Sequence, residues 1–519
     1  MRNALILSIL AAAALGAQQT PPAPPPFRVD ETTIAGIHDA LKSGRVTCRA
    51  LVDMYLRRIQ AYDKNGPALN AIVGINPDAQ RQADNLDRRY AQSGPVGPLH
   101  CVPTIVKDNF ETIGLQSAAG SLSLRGFISN KDAFQVKRIK EAGAIVLAKS
   151  NMAEFAFSPY ETVNSLLPGY TRNPYALDRV TAGSSGGTAA AVAANFGAVG
   201  LGSDTGNSIR GPSSHQALVG IRSTMGLTSR AGVVPLSMLA DIAGPMTRTV
   251  EDAVAVFQVI VGEDPDDPAT AAAKGRPIPK YAESLQRDGL KGARIGILRQ
   301  AYERQGQPAD AELVDVFMEA VEDLKRAGAT IVDPARVDLE KVTRPQGSGS
   351  CGGFKYDINR YLAAQGDRVP VHTLEEIIRS RRYHPGIEAR LRSAQEGSEN
   401  GPDTPACQAE AAYREQFRAA VTKTMDDNTL DAFVYPTWSF PPRLIGDLNT
   451  PHGDNSQVFS PTTGWPSINV PMGYTRGTLP IGITIFGRAW SEPTLIKFAY
   501  AYEQATHHRR PPATAPPLR

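Results

Sequence analysis

Two serines and one lysine lie in sequence contexts that suit acyl transfer. Ser184 lies in a glycine–serine turn, residues 183–187, which leads directly into an alanine-rich segment. Ser208 ends a second such turn, residues 202–208, and Lys107 ends a short apolar stretch. Because a neutral lysine amine can act as a base toward a serine hydroxyl, two serines and a lysine can cleave an acyl bond without histidine. This chemistry is the leading hypothesis.

Lys107 is the candidate base. It follows the apolar residues Val102, Ile105 and Val106. Burial disfavours the charged ammonium, so we expect the amine to be available in its neutral form near physiological pH. A lone lysine at a strand end is more often a surface residue, so this assignment depends on the two serines. Ser184 is the candidate relay of a proton between Ser208 and Lys107.

Ser208 is the candidate nucleophile, and the three residues before it form the candidate oxyanion hole. Thr205, Gly206 and Asn207 can present successive backbone N–H groups in the turn. An oxyanion hole needs donors that point at the negative charge as it develops. The turn therefore predicts both the nucleophile and the donors that stabilise its product.

A competing interpretation makes Ser185 the nucleophile, because residues 183–187 also match the G-x-S-x-G elbow. That elbow follows an apolar strand, whereas residues 173–179 read as a polar turn. It also requires a late histidine, and the candidates His452, His507 and His508 lack supporting context. The elbow is therefore disfavoured.

Neither a cofactor nor a metal is expected. Residues 200–202 lack the glycine spacing of a dinucleotide-binding loop. No pair of cysteines or histidines has zinc-ligand spacing. The formal net charge of +3 is too small to indicate nucleic acid or an anionic membrane as a partner.

Alternating strands and helices position these residues. The pattern predicts an α/β fold with an open sheet covered by helices, and a helical cap inserted at residues 347–427. We predict one domain over 30–519, with a catalytic core (30–262), a connecting and cap region (263–430) and a return to the sheet (431–510). The predicted helices are 32–42, 47–62, 78–92, 134–142, one from Asn151, one after the turn 183–187, 250–261, 309–327 and 492–504. The predicted strands are 69–75, 105–107, 144–148, 198–201, 293–298, 329–332, 432–435, 467–470 and 481–486.

The first residues predict export. A short positive start precedes an apolar run over residues 4–17 with small residues at its end, which is typical of a signal peptide. A proline-rich spacer follows at 18–29, and an uncleaved anchor is the alternative for the start. No other stretch is long and apolar enough to span a bilayer, so no stable membrane span is expected after processing.

Four cysteines permit three fully paired connectivities. Export makes disulfides possible. Cys48–Cys101 and Cys351–Cys407 are favoured because each pair lies within one half of the chain, and free buried thiols remain the alternative.

Several of these motifs, in order and spacing, resemble the amidase signature family of serine hydrolases. The resemblance runs from about residue 30 to the end of the chain. The matching stretches are residues 97–109 (GPLH through KDN), 183–187 (GSSGG), 202–212 (GSDTGNSIRGP), 229–235 (SR through VP) and 244–253 (GPMTRTVEDA).

This resemblance implies a Ser–Ser–Lys triad of Ser208, Ser184 and Lys107. It also implies an oxyanion hole at Thr205, Gly206 and Asn207, a cis peptide bond at Ser184, and supporting roles for Ser185, Asp204 and Arg210. Asn151 and Glu154 match a further family pattern without an assigned role. Asn207, Ala182 and Ser223 depart from a usual glycine, glycine and proline, and we expect the site to be kept.

The C-terminal segment 487–512 looks most like exported bacterial peptide amidases. The implied activity is hydrolysis of a small-molecule or peptide amide through an acyl-enzyme. The alternatives are an aryl-acylamidase, a carbamate hydrolase or an esterase of the same family, and, outside that group, one subunit of an amidotransferase or a catalytically silent binding protein.

Overall fold

The computed structural model describes residues 27–158, 160–304, 306–345, 351–399, 404–447, 449–451 and 453–518. The predicted signal peptide, residues 18–26 of the spacer, and His452 lie outside these residues. Within the described part of the chain, no helix is long and apolar enough to cross a membrane.

Eleven strands form one mixed sheet, in the order β1-β3-β2-β6-β8-β7-β12-β13-β11-β9-β10, and β4 pairs with β5 in a separate hairpin. The strands are β1 (Ile72–Ile75), β2 (Pro103–Lys107), β3 (Ile145–Ser150), β4 (Arg172–Asn173), β5 (Ala176–Val180), β6 (Val199–Asp204), β7 (Val219–Arg222), β8 (Ile242–Thr247), β9 (Arg294–Ile297), β10 (Thr330–Val332), β11 (Ala432–Pro436), β12 (Ser467–Thr475) and β13 (Leu479–Phe486).

Helices flank the sheet and bury one continuous apolar core against it. They are α1 (Ile34–Lys42), α2 (Cys48–Tyr62), α3 (Ala79–Ser93), α4 (Phe134–Glu141), α5 (Gly186–Ala193), α6 (Arg210–Ser214), α7 (Val250–Ile260), α8 (Ala311–Arg326), α9 (Gly353–Gln365), α10 (Leu374–Ser380), α11 (Glu388–Gln395), α12 (Pro405–Asp427), α13 (Phe459–Thr463) and α14 (Glu492–Thr506). The predicted α/β class with a mixed central sheet is confirmed.

The parallel pairing of β2 with β6 brings the candidate base to the second turn. Thr104, Ile105 and Val106 align with Val199, Gly200 and Leu201. Because the carboxyl ends of parallel strands meet at the same edge, Lys107 at the end of β2 lies beside the end of β6. The alternation of element types therefore places residues from distant parts of the chain at one edge of the sheet.

Residues 353–427 carry α9, α10, α11 and α12, so the helical content predicted for the cap is confirmed. The cap contributes residues such as Ile358 and Leu391 to a second apolar cluster, which also contains Phe127 and Met152 of the core. Gln365 Nε2 donates to Glu111 Oε1 at 2.9 Å across the same boundary. The cap is thus packed against the part of the chain that carries the candidate site.

Both favoured disulfides are confirmed. Cys48 is bonded to Cys101, and Cys351 to Cys407, with Cα–Cα distances of 5.6 and 4.3 Å. The second bond joins the residues just before α9 to the first turn of α12. It therefore ties two walls of the cap together.

Two local predictions are wrong. No helix begins at Asn151; a single 3-10 turn covers Glu154–Ala156, with Phe155 and Ala156 at positive φ. The Asn151 side chain instead bonds to a neighbouring loop, since its Nδ2 donates to Thr171 Oγ1 at 2.9 Å. Residues 173–179 are not simply a turn, because β5 occupies most of them.

Candidate active site

Lys107 and Ser184 are in direct contact. Lys107 Nζ donates to Ser184 Oγ at 2.7 Å, to Ser203 Oγ at 2.9 Å and to the Ser203 carbonyl at 3.3 Å. All three residues are buried. The lysine is therefore held by short polar contacts in a site removed from bulk water.

Burial shifts the protonation of this lysine. It lowers the pKa of Lys107 from 10.5 to about 7, while the carboxylates of Asp204 and Asp241 act in the opposite direction. Neutral and charged forms are therefore both present near neutral pH. In the neutral form the amine lone pair accepts the hydroxyl proton of Ser184 across the same contact.

The turn 183–187 must be glycine-rich because the backbone of other loops passes against it. A Cβ on Gly183 would lie 2.3 Å from the Ser158 carbonyl oxygen, and one on Gly187 would lie 2.3 Å from that of Asn151. The peptide bond between Gly183 and Ser184 is cis, as the resemblance implied. The turn thus delivers Ser184 to Lys107 at the start of α5.

Ser185 is also buried, but it faces the structural side of the site. Its Oγ donates to the Ser203 carbonyl at 3.1 Å and accepts from the Ser203 N–H at 3.3 Å. Among the described residues no histidine hydrogen-bonds to Ser184, Ser185 or Ser208. The elbow interpretation therefore gains no support.

Ser208 lies in a cavity of about 380 Å³ between the core and the cap. We call this the catalytic cavity; it is lined by residues 205–208, by Leu236, Ser237 and Ala240, and by cap residues that include Arg390 and Tyr413. Ser208 is 4 % exposed. The structure gives no hydrogen bond between Ser184 and Ser208, so it joins Lys107 to Ser184 and places Ser208 separately at the cavity wall.

The three residues before Ser208 also line the catalytic cavity. Within the described part of the chain, the backbone N–H groups of Thr205, Gly206 and Asn207 have no acceptor. Donors that are free and face a cavity can bind an oxygen that becomes negatively charged. Asn207 does not have positive φ, so replacing the usual glycine there introduces no left-handed strain.

Asp204 holds the turn that carries these N–H groups. Its buried carboxylate accepts from Arg210 Nε at 3.0 Å and from Arg222 at 2.9 Å. It also accepts from the Ile209 N–H at 3.1 Å, and Arg210 donates to the Gly206 carbonyl at 2.7 Å. The two guanidinium groups hold the pKa of Asp204 well below its usual range, so the carboxylate stays charged.

Replacement of Asp204 by asparagine is expected to destabilise the fold and the turn together. Breaking a buried ion pair by removing one partner costs about 3–5 kcal/mol, because the other charge stays buried. We expect a lower thermal midpoint and a fall in kcat of about 10²-fold, the size typical of a lost oxyanion-hole donor.

The matched control is Asp267→Asn. Asp267 forms a buried ion pair with Arg230 at 2.6 Å and does not contact the turn 205–208. It should lower the thermal midpoint by a similar amount while kcat stays within a few-fold. Equal losses of kcat in the two variants would show that Asp204 acts only on stability.

Sequence reasoning missed several residues that build the site. Ser203 accepts from both Lys107 and Asn109, with Asn109 Nδ2 at 3.0 Å. Arg222 completes the clamp on Asp204, and Asp241 accepts from the hydroxyl of Thr205. Ser203 and Asn109 fall inside the matching motifs, which was the available signal. Arg222 and Asp241 lie outside them.

Asn151 and Glu154 have positioning contacts. Asn151 Oδ1 accepts from Asn164, and its carbonyl lies against Gly187 of the first turn. Glu154 is buried and accepts from the N–H of His384 at 2.8 Å, just before α11. Burial raises the pKa of Glu154. Asn151 thus supports the turn of Ser184, and Glu154 fixes the cap to the core.

Ala182, where the resemblance has glycine, does have positive φ, at 59°. Alanine in that conformation costs about 1–2 kcal/mol, which the surrounding structure accommodates. Ser223 is buried, and its hydroxyl lies 3.0 Å from that of Thr228. The two departures do not contact Lys107, Ser184 or Ser208 through any hydrogen bond within the described residues.

Comparisons with known proteins agree with this geometry. Residues 50–496 match the family model described as Amidase. A probable amidase of Arabidopsis thaliana is 34% identical over 536 residues, covering 99% of this chain and 96% of its own length. A putative amidase of Schizosaccharomyces pombe is 31% identical over 516 residues, covering 93% of this chain and 87% of its own. The X-ray structure of a peptide amidase from Stenotrophomonas maltophilia superposes with a TM-score of 0.82 at 36% identity, covering 93% of this chain and 98% of that one.

Glutamyl-tRNA(Gln) amidotransferases also contain a chain of this kind. The matching chain from Synechococcus sp. is 32% identical over 507 residues, covering 94% of this chain and 95% of its own length. Similarity over the whole length therefore extends to both amidases and amidotransferases.

Proposed function

The chain belongs to the amidase family and hydrolyses carbon–nitrogen bonds in amides, and we propose that it does so through an acyl-enzyme on Ser208. The observation that carries the proposal is the buried contact of 2.7 Å between Lys107 Nζ and Ser184 Oγ. It lies beside a cavity whose wall holds a second serine and three unpaired N–H groups. No other group of described residues combines a base, a relay and a nucleophile in this way.

The proposed reaction has two halves. Neutral Lys107 takes the proton of Ser184, which takes that of Ser208, and Ser208 Oγ forms a bond to the amide carbon. The oxygen of the tetrahedral intermediate accepts from the N–H groups of residues 205–207. The proton then passes to the leaving nitrogen, the carbon–nitrogen bond breaks, and ammonia or an amine departs. Water attacks the ester that remains, by the same proton route, and releases the acid.

The proposed substrate is a C-terminally amidated peptide. Support comes from the similarity to a protein described as a peptide amidase and from a cavity between core and cap that is large enough for a short peptide. A small-molecule amide, an anilide, a carbamate or an ester remains the alternative. We also propose that the chain is exported; the two disulfides, which persist in oxidising compartments, support this. They favour a hydrolase over part of a cytosolic amidotransferase.

The first test measures ammonia released from acetyl-Gln-Leu-amide by the mature chain, with parallel assays of a leucine anilide and a leucine ester. Release of ammonia with little attack on the other two supports the peptide amide as substrate. Faster cleavage of the anilide or ester moves the substrate to that class. A fluorophosphonate is added separately, because it labels an activated serine whatever the substrate. Absence of a label on Ser208 would contradict the acyl-enzyme.

A further inference from the structure

The catalytic cavity has an uneven charge. The charged residues that line it are three arginines and one glutamate: Arg344, Arg390, Arg414 and Glu410. Arg414 and Glu410 form an ion pair at 2.8 Å, and Arg414 also donates to the carbonyl of Pro461. Their charges therefore offset each other. The remaining charge of the wall is that of Arg344 and Arg390.

Neither of these two arginines is neutralised by the protein. Within the described residues, neither forms an ion pair with a carboxylate, although most arginines of the cap do. Arg392, two positions after Arg390 on α11, pairs with Glu388 at 2.6 Å. Arg390 instead donates to the carbonyl of Phe157. That single bond fixes the guanidinium at the wall and leaves its other N–H groups free.

Arg390 lies where the catalytic cavity meets a second one. The outer cavity, of about 670 Å³, is lined by residues of α9 and α11. Phe157, Leu236, Ser237 and Arg390 line both cavities. In the outer cavity Lys355 is paired with Glu399 at 2.9 Å, and Glu396 is the lining carboxylate. Glu396 does not line the catalytic cavity, so the two arginines face a substrate bound there without an opposing charge.

We infer that the acyl portion of the substrate carries a carboxylate, which Arg390 and Arg344 bind inside the catalytic cavity. The inference rests on the proposed amidase function and narrows its substrate to acidic peptide amides. A guanidinium binds a carboxylate through parallel N–H donors, and the bond is stronger than one between neutral groups. A cleft of one charge also concentrates ligands of the opposite charge.

The test compares acetyl-Glu-Leu-amide with acetyl-Gln-Leu-amide and acetyl-Lys-Leu-amide, and the same residues at the amidated position. Glutamate and glutamine have almost the same shape, so their ratio of kcat/KM measures charge alone. We expect the glutamate peptide to be favoured about 10-fold over glutamine at low salt, with lysine the poorest. The preference should fall as ionic strength rises.

The variants assign the preference to these arginines. Arg390→Gln should remove most of it and Arg344→Gln part of it, while Arg390→Lys, which keeps the charge, should retain much of it. Arg392→Gln is the matched control on the same helix and should leave the ratio unchanged. Equal rates for glutamate and glutamine in the parent protein, or a preference that survives in the double variant, would overturn the inference.

A second readout keeps the two proposals distinguishable. The glutamate and glutamine peptides are added during fluorophosphonate labelling of Ser208, and protection from labelling is measured. Stronger protection by the glutamate peptide supports the arginine site even where turnover is slow. Hydrolysis of both peptides at equal rates would leave the amidase function standing and reject only the carboxylate site.

Discussion

Replacement of Ser208 by alanine is expected to abolish ammonia release, with kcat lowered by about 10⁵-fold or more. In serine hydrolases the loss of the nucleophile alone removes most of the catalysis, and the remainder comes from binding and the oxyanion hole. The alanine variant keeps the cavity, so binding of an amidated peptide should remain measurable. The fall in kcat and the loss of the fluorophosphonate label should occur together.

Ser237→Ala is the matched control, because Ser237 lines the same cavity. It should retain kcat within a few-fold. Ser184→Ala should lie between the two, since the nucleophile remains but its proton route is lost, with a fall of about 10²–10⁴. A Ser208→Ala variant that still releases ammonia at more than a hundredth of the parent rate would reject Ser208 as the nucleophile.

The parts of the fold that follow regular patterns were predictable. Strands β2, β6 and β13 are continuous apolar runs, as buried strands are, and the sequence predicts all three. Strand β8 was missed, because Gly244 and Pro245 interrupt it. Pro245 is tolerated there through the pairing of its neighbours with β6, which local pattern cannot reveal. Asn151 misled for a similar reason: its contacts come from residues far along the chain.

The candidate site divides in the same way. The turns that carry Ser184 and Ser208 are visible because close approach of backbone demands particular residue types in consecutive positions. Ser203, Arg222 and Asp241 are single residues whose roles exist only after the strands are paired. Arg390 lies still further from prediction, because its significance depends on which neighbouring charges are offset. Local chemistry is encoded in short stretches, whereas its support depends on contacts between distant ones.

Replacement of Lys107 by methionine is expected to lower kcat by about 10³–10⁴-fold and to change the pH profile. Burial lowers the pKa of Lys107 to about 7, and the base must be neutral to take a proton. Activity of the parent protein should therefore rise with pH through about 7 and level off above it. The variant lacks this group, so its residual activity should not show that rise.

The stability of the same variant separates a base from a merely structural lysine. The folded pKa is depressed, so the unfolded chain binds more protons between about pH 7 and 10.5, and the parent protein should gain stability as pH rises through that range. Methionine buries no ionisable group. Lys107→Met should therefore be more stable than the parent by a few kcal/mol at pH 7. That advantage should shrink toward pH 10. A variant that is inactive yet more stable identifies a residue kept for chemistry at a cost in folding. A variant that is less stable at every pH, with an unchanged rising limb in its residual activity, would reject Lys107 as the base.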